Sequence, residues 1–585
     1  MTRHECEGIP YFIENGLPYP TAFFQQDHPR LDLSGLYQTP EPKTSFSKGG
    51  GWRSLTEVFP LSIQIPGCFN KIGDPLEHFE GILPLEHTFV FPEEKTPGIR
   101  RLCLEGCFHT AQVWLNGIQL GQSADPHLPA YFNVTDILHY GAENTLRVEI
   151  DNRISPYTLP PRQFEGHKPG WKLYAGIFRP VYIESLPEIY CFKADVRTSG
   201  NEVTCDLLFA DAEGHVSHEK RREVIENPKR WSPQSPYLYT LEIQTPSSRQ
   251  TVRYGFRDID LQGRDIRIDK TPLQIKGICR HEEHYDHGHA LPKEITRREL
   301  NMIMDLGGNL ARLSHYPHCE EAYDTSDELG LWVYAEVANY QAGLGIIQGL
   351  FGKSAELRKN KLGIRGLWQL LRNTRQLSDP AYLDTVKRSL TKLIERERNH
   401  PSVLFWGVGN ECFSITRKGK RALIELKQLV TDLDSTRPAV YAAFTAPGVT
   451  PKFEKSLDVF DVICINEYYG WYYGSPQEAE AYWQKIAKRF PQKPLLLTEN
   501  GSDSYLSDPE SLEKQCDILR AHWSLAESNL LTGLCVWVFK DFACPEYGDD
   551  LPVPGHNAKG VYTKDYEEKP VAEVLRELWR DTQRK

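Results

Sequence analysis

Two acids stand where apolar runs should simply end. The stretch His400–Glu411, HPSVLFWGVGNE, reads as a buried strand that stops at Asn410 and Glu411, and a second run, PLLLTENG, stops just past Glu499. A carboxylate has no place at the end of a packed strand unless it reaches solvent or is used, because burying it unpaired is costly or forces it to hold a proton. A carboxyl pair is what glycosidic bond cleavage needs: one group protonates the leaving oxygen while the other attacks the anomeric carbon or activates water.

The surrounding pattern says how such a pair could be brought together. From about residue 259, apolar runs (LQIKGICRH, GNLARLSHY, LWVYAEVAN, VLFWGVGNE, AVYAAF, VICINEYY, PLLLTENG, GLCVWVFKDF) alternate with helix-like stretches such as SLEKQCDILRAHWSLAESN. Continuous apolar strands separated by amphipathic helices predict a parallel sheet covered on its outside, and eight of them predict a closed (β/α)₈ barrel over residues 259–585. Active sites in such barrels form at the carboxyl ends of the strands, and these runs end in His281, His315, Asn339, Glu411, Tyr468, Glu499 and Lys540 with Asp541. Strands four and seven then hold the two acids on opposite sides of the mouth. After the third strand the connection runs about forty residues, from Tyr340 to Asp379, and is rich in Lys and Arg; so long a segment on the catalytic face is a candidate lid.

The first part of the chain follows a different rule. Short alternating segments with Gly and Asn-Gly turns (RRLCLEGCFH, AQVWLNGIQLG, ENTLRVEIDNR, RPVYIESLP) predict an amino-terminal β-sandwich over residues 1–185. A second β-rich piece, 186–258, is short for an immunoglobulin-like sandwich, so strands there are expected to be missing or reduced.

Composition narrows the classes. A chain of 585 residues exceeds a single core, and a net charge of −11 argues against a general nucleic-acid binder. The start, MTRHECEGIPYFIENG, lacks a secretory pattern, and no apolar run is long enough to span a membrane. The 13 Cys are odd in number and scattered through apparent strands, which points to reduced thiols and a cytoplasmic setting. A homo-oligomer is compatible with the sequence.

With these residues in view, a family resemblance is plain. RNHPSVLFWGVGNE followed by LLLTENG resembles glycoside hydrolase family 2, and YAGIFRPVYIE, KGICRHEEH and NLARLSHYP agree in order. The resemblance covers about residues 50–570. It implies a jelly-roll sugar-binding domain, an immunoglobulin-like domain and a catalytic barrel, and hydrolysis with retention of anomeric configuration. It implies Glu411 as acid/base, Glu499 as nucleophile and Asn410 as the holder of the sugar 2-hydroxyl, with no cofactor.

Two further blocks resemble the β-glucuronidases of that family. VICINEYYGWYYG implies pocket residues Asn466, Tyr468 and Tyr472, and GHNAKGVYTKD carries an Asn-x-Lys pair, Asn557 and Lys559, which would hold a uronate carboxylate; His315 and Trp537 match as pocket donor and ring platform. Charge-assisted hydrogen bonds of this kind are worth about 1.5–3 kcal/mol each, and a neutral sugar would leave the lysine without a counter-charge. Two departures stand out: Gly170, in GWKLYAGI, replaces an Asp, and LPVPGH replaces an Arg before the Asn-x-Lys pair. Both bear on the far side of the sugar ring, so a β-galacturonidase is the alternative, followed by a β-galactosidase-like enzyme and a non-catalytic carbohydrate-binding protein. HEEHYDHGH, from His281 to His289, has metal-ligand residue types but not the HExxH spacing, and is read as metal-free.

Overall fold

The computed structural model describes residues 1–40, 61–93, 97–163, 169–344, 374–445, 450–545 and 552–580. All eight apolar runs become the strands of a closed parallel barrel: β1 Ile275–Arg280, β2 Leu310–Leu313, β3 Trp332–Glu336, β4 Val403–Asn410, β5 Ala439–Phe444, β6 Ile463–Asn466, β7 Leu495–Asn500 and β8 Gly533–Val536. Closure is a register in which Ile275 to Ile278 of β1 pair with Gly533 to Val536 of β8. The strands are buried on both faces, which is why they read as unbroken apolar runs instead of alternating ones.

The covering helices are α1 Lys293–Asp305, α2 Glu320–Leu329, α3 Pro380–Glu397, α4 Arg417–Leu433, α5 Glu478–Arg489, α6 Pro509–Glu527 and α7 Val571–Arg580. Their starts are written in the sequence. Asp379 caps α3 and Asp508 caps α6, each followed by proline at the first helical position, and Thr416 caps α4 through the Gly419 N–H. Most of the β3–α3 connection expected to form a lid, residues 345–373, lies outside the described residues. No helix among the described residues is long and apolar enough to cross a membrane.

Ahead of the barrel, a six-stranded sheet in the order Ile118–Ser123, Thr110–Leu115, Glu143–Asp151, Ile82–Val90, Gly35–Thr39, Leu61–Ile65 packs on a four-stranded sheet of Ala130–Asn133, Ile99–Leu104, Val181–Leu186 and Arg30–Asp32. Strict alternation in Glu143–Asp151 places Leu146, Val148 and Ile150 in the shared core. The next module pairs Ile189–Ser199, Glu202–Asp211 and Val216–Val224 in one sheet and Tyr239–Thr245 with Ser248–Tyr254 in another. The strand this short piece lacked in the sequence comes from the start of the chain: Gln25–Gln26 pairs with Thr251 and Gln250. A two-residue strand carries no periodicity, so nothing in the sequence announced it.

The sandwich is fastened to the barrel by buried charge. Asp125 is fully buried and takes Arg388 at 2.8 Å and Lys392 at 2.9 Å, both from α3, while Lys392 also reaches Glu14 at 2.6 Å. Burial alone would raise the Asp125 carboxyl, but Lys392 and Arg388 outweigh it and hold it below the usual range. Asp125→Ala leaves Lys392 with Glu14 as its carboxylate and takes the carboxylate from Arg388, so thermal melting should show a loss of about 3 kcal/mol at neutral pH. Because the folded-state pKa is depressed, that contribution is complete above the ordinary aspartate range near ~3.9 and disappears as pH falls through the folded value; melts of wild type and variant should converge there.

Candidate active site

At the carboxyl end of the barrel the guanidinium of Arg312, on β2, is fully buried and spends all five of its N–H donors on neighbouring strands. Nε donates to Glu336 Oε2 at 3.3 Å; Nη1 donates to the Thr498 carbonyl at 3.0 Å and to Glu499 Oε1 at 2.8 Å; Nη2 donates to Glu336 Oε2 at 3.0 Å and to Asn410 Oδ1 at 2.8 Å. One side chain therefore ties β3, β4 and β7 to β2. Glu499 is completed by the Tyr468 hydroxyl, which donates to Oε2 at 2.8 Å.

Glu411 follows β4 in the left-handed region, at φ 52°, and is buried to 8 % exposure. Its contacts are neutral amides. Gln341 Nε2 donates to Oε2 at 2.9 Å and Asn466 Nδ2 to Oε1 at 3.0 Å. Asn466 also donates to Asn410 Oδ1 at 3.0 Å, and its own carbonyl accepts from the Thr498 hydroxyl at 2.8 Å. The sequence reading places Asn466 in the pocket; here its amide is committed to protein groups, holding Glu411 and Asn410. With the Asn410 carbonyl taken by Arg312 and Asn466, its Nδ2 is the end it can offer to a ligand.

The two acids feel different surroundings. Burial pushes Glu499 up to about 8, with Arg312 pulling it down, the neighbouring Glu411 pushing it further up, and the Tyr468 hydrogen bond again lowering it. Burial also raises Glu411, opposed mainly by the amides of Gln341 and Asn466. Such a pair titrates as a unit and holds one proton near neutrality. Contact chemistry decides where it sits: Arg312 can only donate, so it favours charge on Glu499, whereas among the described residues Glu411 has no cation in hydrogen-bonding contact. Glu336, raised by burial but lowered more by Arg312 and His315, stays below the usual range. His315 is pushed down to about 4 by burial, despite its Nδ1 lying 2.7 Å from Glu336 Oε1. As Glu336 can only accept, Nδ1 carries the proton and the bare Nε2 faces Glu499 Oε1 at 3.8 Å.

Aromatic rings wall the site. Trp537 stacks on His315, with centroids 5.0 Å apart. Tyr472, 57 % exposed, stands at the rim 5.1 Å from the Tyr468 ring. Trp171, from the sandwich, reaches in to meet Tyr340 at 4.7 Å and His315 at 5.6 Å. Lys559 lies beside the exit of β7: a Cβ on Gly501 would sit 3.9 Å from the Lys559 Cβ and 2.2 Å from the Trp537 carbonyl oxygen, so only glycine fits at 501. Its ammonium faces the Trp471 and Tyr472 rings at 5.3 and 5.4 Å. The expectation that this lysine depends on the substrate for its counter-charge is corrected, because Asp503 Oδ1 lies 2.9 Å away. Asn557 Oδ1 accepts the Lys559 backbone N–H at 3.2 Å, and Lys569 fixes the turn by donating to the Ala558 carbonyl.

The His281–His289 string is built into the wall. Glu282 pairs with Arg179 at 2.7 Å, Glu283 accepts the Ala543 N–H, and His289 Nδ1 lies 2.6 Å from the Glu282 carbonyl. Lys540 and Asp541, expected at the end of the eighth strand, lie beyond β8, which stops at Val536, and are paired with Glu299 and Lys569.

Comparison with known proteins places this arrangement. The family model described as "Glycosyl hydrolases family 2, TIM barrel domain" matches residues 259–583, more than half of the chain, and "Glycosyl hydrolases family 2" matches 193–257. The chain belongs to glycoside hydrolase family 2. Among curated relatives, a β-glucuronidase of Paenibacillus borealis is 25% identical, covering 94% of this chain and 96% of its own, and one of Streptococcus agalactiae is 27% identical, covering 92% and 96%. The fold matches a Faecalibacterium prausnitzii β-glucuronidase (TM-score 0.80, 23% identity, 96% and 99% covered) and a family 2 β-galacturonidase from Eisenbergiella tayi bound to galacturonate (TM-score 0.78, 24% identity, 96% and 99% covered).

In this family 2 hydrolase, sequence reasoning passed over Arg312, Glu336, Gln341, Trp171, Tyr340 and Asp503. Arg312 and Glu336 did carry a signal, each being a charge inside an apolar run (LARL, VYAE). Gln341 and Tyr340 carried none. Arg312→Lys keeps the charge but not the five-donor fork. It should lower kcat/KM on an aryl glycoside by about a hundredfold or more, with circular dichroism reporting an intact fold.

Proposed function

We propose that this glycoside hydrolase is a retaining exo-β-uronidase acting on terminal β-D-glucuronides. The observation that carries the reading is the single buried network in which Arg312 joins Glu499 to Asn410 and Asn466 joins Asn410 to Glu411, with the Lys559 side chain starting beside the exit of β7. Glu499, favoured as the anion by Arg312 and Tyr468, attacks the anomeric carbon as the bond to the aglycone oxygen breaks. Glu411 gives its proton to that oxygen. In the second step Glu411 takes a proton from water, the water oxygen bonds the anomeric carbon, and Glu499 leaves as carboxylate, so configuration is retained. Asn410 Nδ2 donates to the 2-hydroxyl, Trp537 provides a ring surface, Tyr468 and Tyr472 line the side of Lys559, and Asn557 with Lys559 receives the carboxylate. Trp171 brings the sandwich into contact with His315 and Tyr340 beside the site. A β-galacturonidase is the second reading, favoured by Gly170.

Glu499→Gln should abolish turnover with the fold intact. Glu411→Gln should impair alkyl uronides far more than uronides with good leaving groups, and should remove the alkaline limb of the kcat/KM profile, because Glu411 is the group whose proton the leaving oxygen needs. Equal damage on both leaving groups would sink the acid/base role.

Lys559→Ala separates a uronidase from a neutral-sugar enzyme. It removes the ammonium and leaves Asp503 facing the substrate carboxylate, so kcat/KM for an aryl uronide should fall by about a hundredfold. The matching neutral glycoside should change little. Equal losses on both, or a wild type that prefers a galactoside to every uronide, would overturn the clamp.

A further inference from the structure

A residue of the β3 exit and a residue of the sandwich meet over the sugar site. A Cβ built on Gly170 would lie 2.8 Å from the Tyr340 hydroxyl oxygen, so the space that a side chain at 170 would enter is held by that phenol. Tyr340 is not loosely placed. Its backbone forms a bridge with Asn410, through the Asn410 N–H to the Asn339 carbonyl at 2.9 Å and the Gln341 N–H to the Asn410 carbonyl at 2.8 Å. Its ring is wedged between His315, 4.9 Å away, and the edge of Trp171 at 4.7 Å. Tyr340 is also half-buried, like Gln341 after it, where Asn339 and Ala342 on either side are buried.

The direction of the hydroxyl follows from those neighbours. The ring starts at β3 but leans past His315 toward Trp171, which in turn packs within 5.7 Å of His281 at the end of β1. The phenol therefore ends in the sector of β1 and β2. On the reading above, on which this step rests, the anomeric carbon lies between Glu411 and Glu499, O2 lies at Asn410 and the C5 carboxylate lies at Lys559. A pyranose so anchored turns its O3–O4 edge toward the remaining sector, that of β1 and β2 with the Gly170–Trp171 segment above it. His315 Nδ1 is already taken by Glu336.

We propose that the Tyr340 hydroxyl, seated over Gly170, contacts the O3–O4 edge of the sugar and sets the choice between C4 epimers. An equatorial and an axial O4 lie on different sides of one rigidly held phenol, so only one can share its hydrogen bond. Discrimination by a donor whose partner is lost for the wrong epimer is the efficient kind.

The test uses the full chain and 4-nitrophenyl β-D-glucuronide and β-D-galacturonide. Wild type should favour one epimer. Tyr340→Phe should erode the ratio of the two kcat/KM values by about tenfold or more, the loss falling on the favoured epimer, and Gly170→Ala, whose Cβ displaces the phenol, should move the ratio the same way. The dependence on leaving group should stay as in wild type, since the acid/base machinery is untouched. A wild type indifferent to the epimer, or a ratio unchanged in Tyr340→Phe, overturns the proposal. Hydrolysis of neutral glycosides only would overturn the uronidase reading but not this one, because the β-glucoside and β-galactoside differ at the same carbon and the ratio is then read on them. Turnover of none of the four overturns both.

Discussion

A guanidinium buried at the heart of a barrel has to be fully partnered or it cannot be there. Desolvating a full charge is repaid only when its counter-charges and hydrogen bonds are complete, and Arg312 meets that condition with two carboxylates, a side-chain carbonyl and a backbone carbonyl on β3, β4 and β7. The same bonds that satisfy the charge fix the geometry of the site. Glu499, Glu336 and Asn410 cannot move independently, and His315 is orientated in turn by Glu336. The proposed catalytic constellation is thus assembled as a by-product of satisfying one buried cation.

Given that cation, the two acids are made unequal by what touches them. Glu499 sits against a guanidinium and a phenol, Glu411 against two amides. The amides add no charge to the carboxyl they hold, so they leave its ionisation to its surroundings. Backbone strain gathers at the same place: Glu411 and Gln341, which meet through their side chains, both lie in the left-handed region, at φ 52° and 51°. That conformation is costly for residues with long side chains and persists where surrounding contacts over-determine it. Here the β3–β4 backbone bridge supplies those contacts.

How much of this the sequence disclosed follows from the range of each interaction. The barrel was legible because burial on both strand faces is written locally, as apolar runs with capped helices between them. Glu411 and Glu499 were legible because an acid contradicts its own neighbourhood. Arg312 and Glu336 contradict theirs equally, and the rule that found the first pair would have found the second had it been applied inside strands as well as at their ends. Tyr340 and Gln341 look like loop residues, and Asp503 lies in a run of small polar residues. Their roles depend on partners 56 to 170 positions away, and no local pattern encodes such a meeting. The reach of Gln25–Gln26 into the second module was hidden for the same reason.

Asp503 changes what the Asn-x-Lys pair can do. Asp503 holds the Lys559 ammonium at 2.9 Å, and the Trp471 and Tyr472 ring faces pack against it. The balance has a consequence for selectivity. On the proposed reading, a uronate arriving at Lys559 meets an ammonium that already has a carboxylate beside it, so opposite charge selects it less strongly than a bare ammonium would. What remains is direction: in that reading the ammonium rewards a carboxylate only if its oxygens fall where the N–H bonds point. The sugar ring must then be held in one orientation by its other edge, so discrimination at the carboxylate and discrimination at O4 are two ends of one rigid fit, the first built on the barrel and the second on the contact between barrel and sandwich.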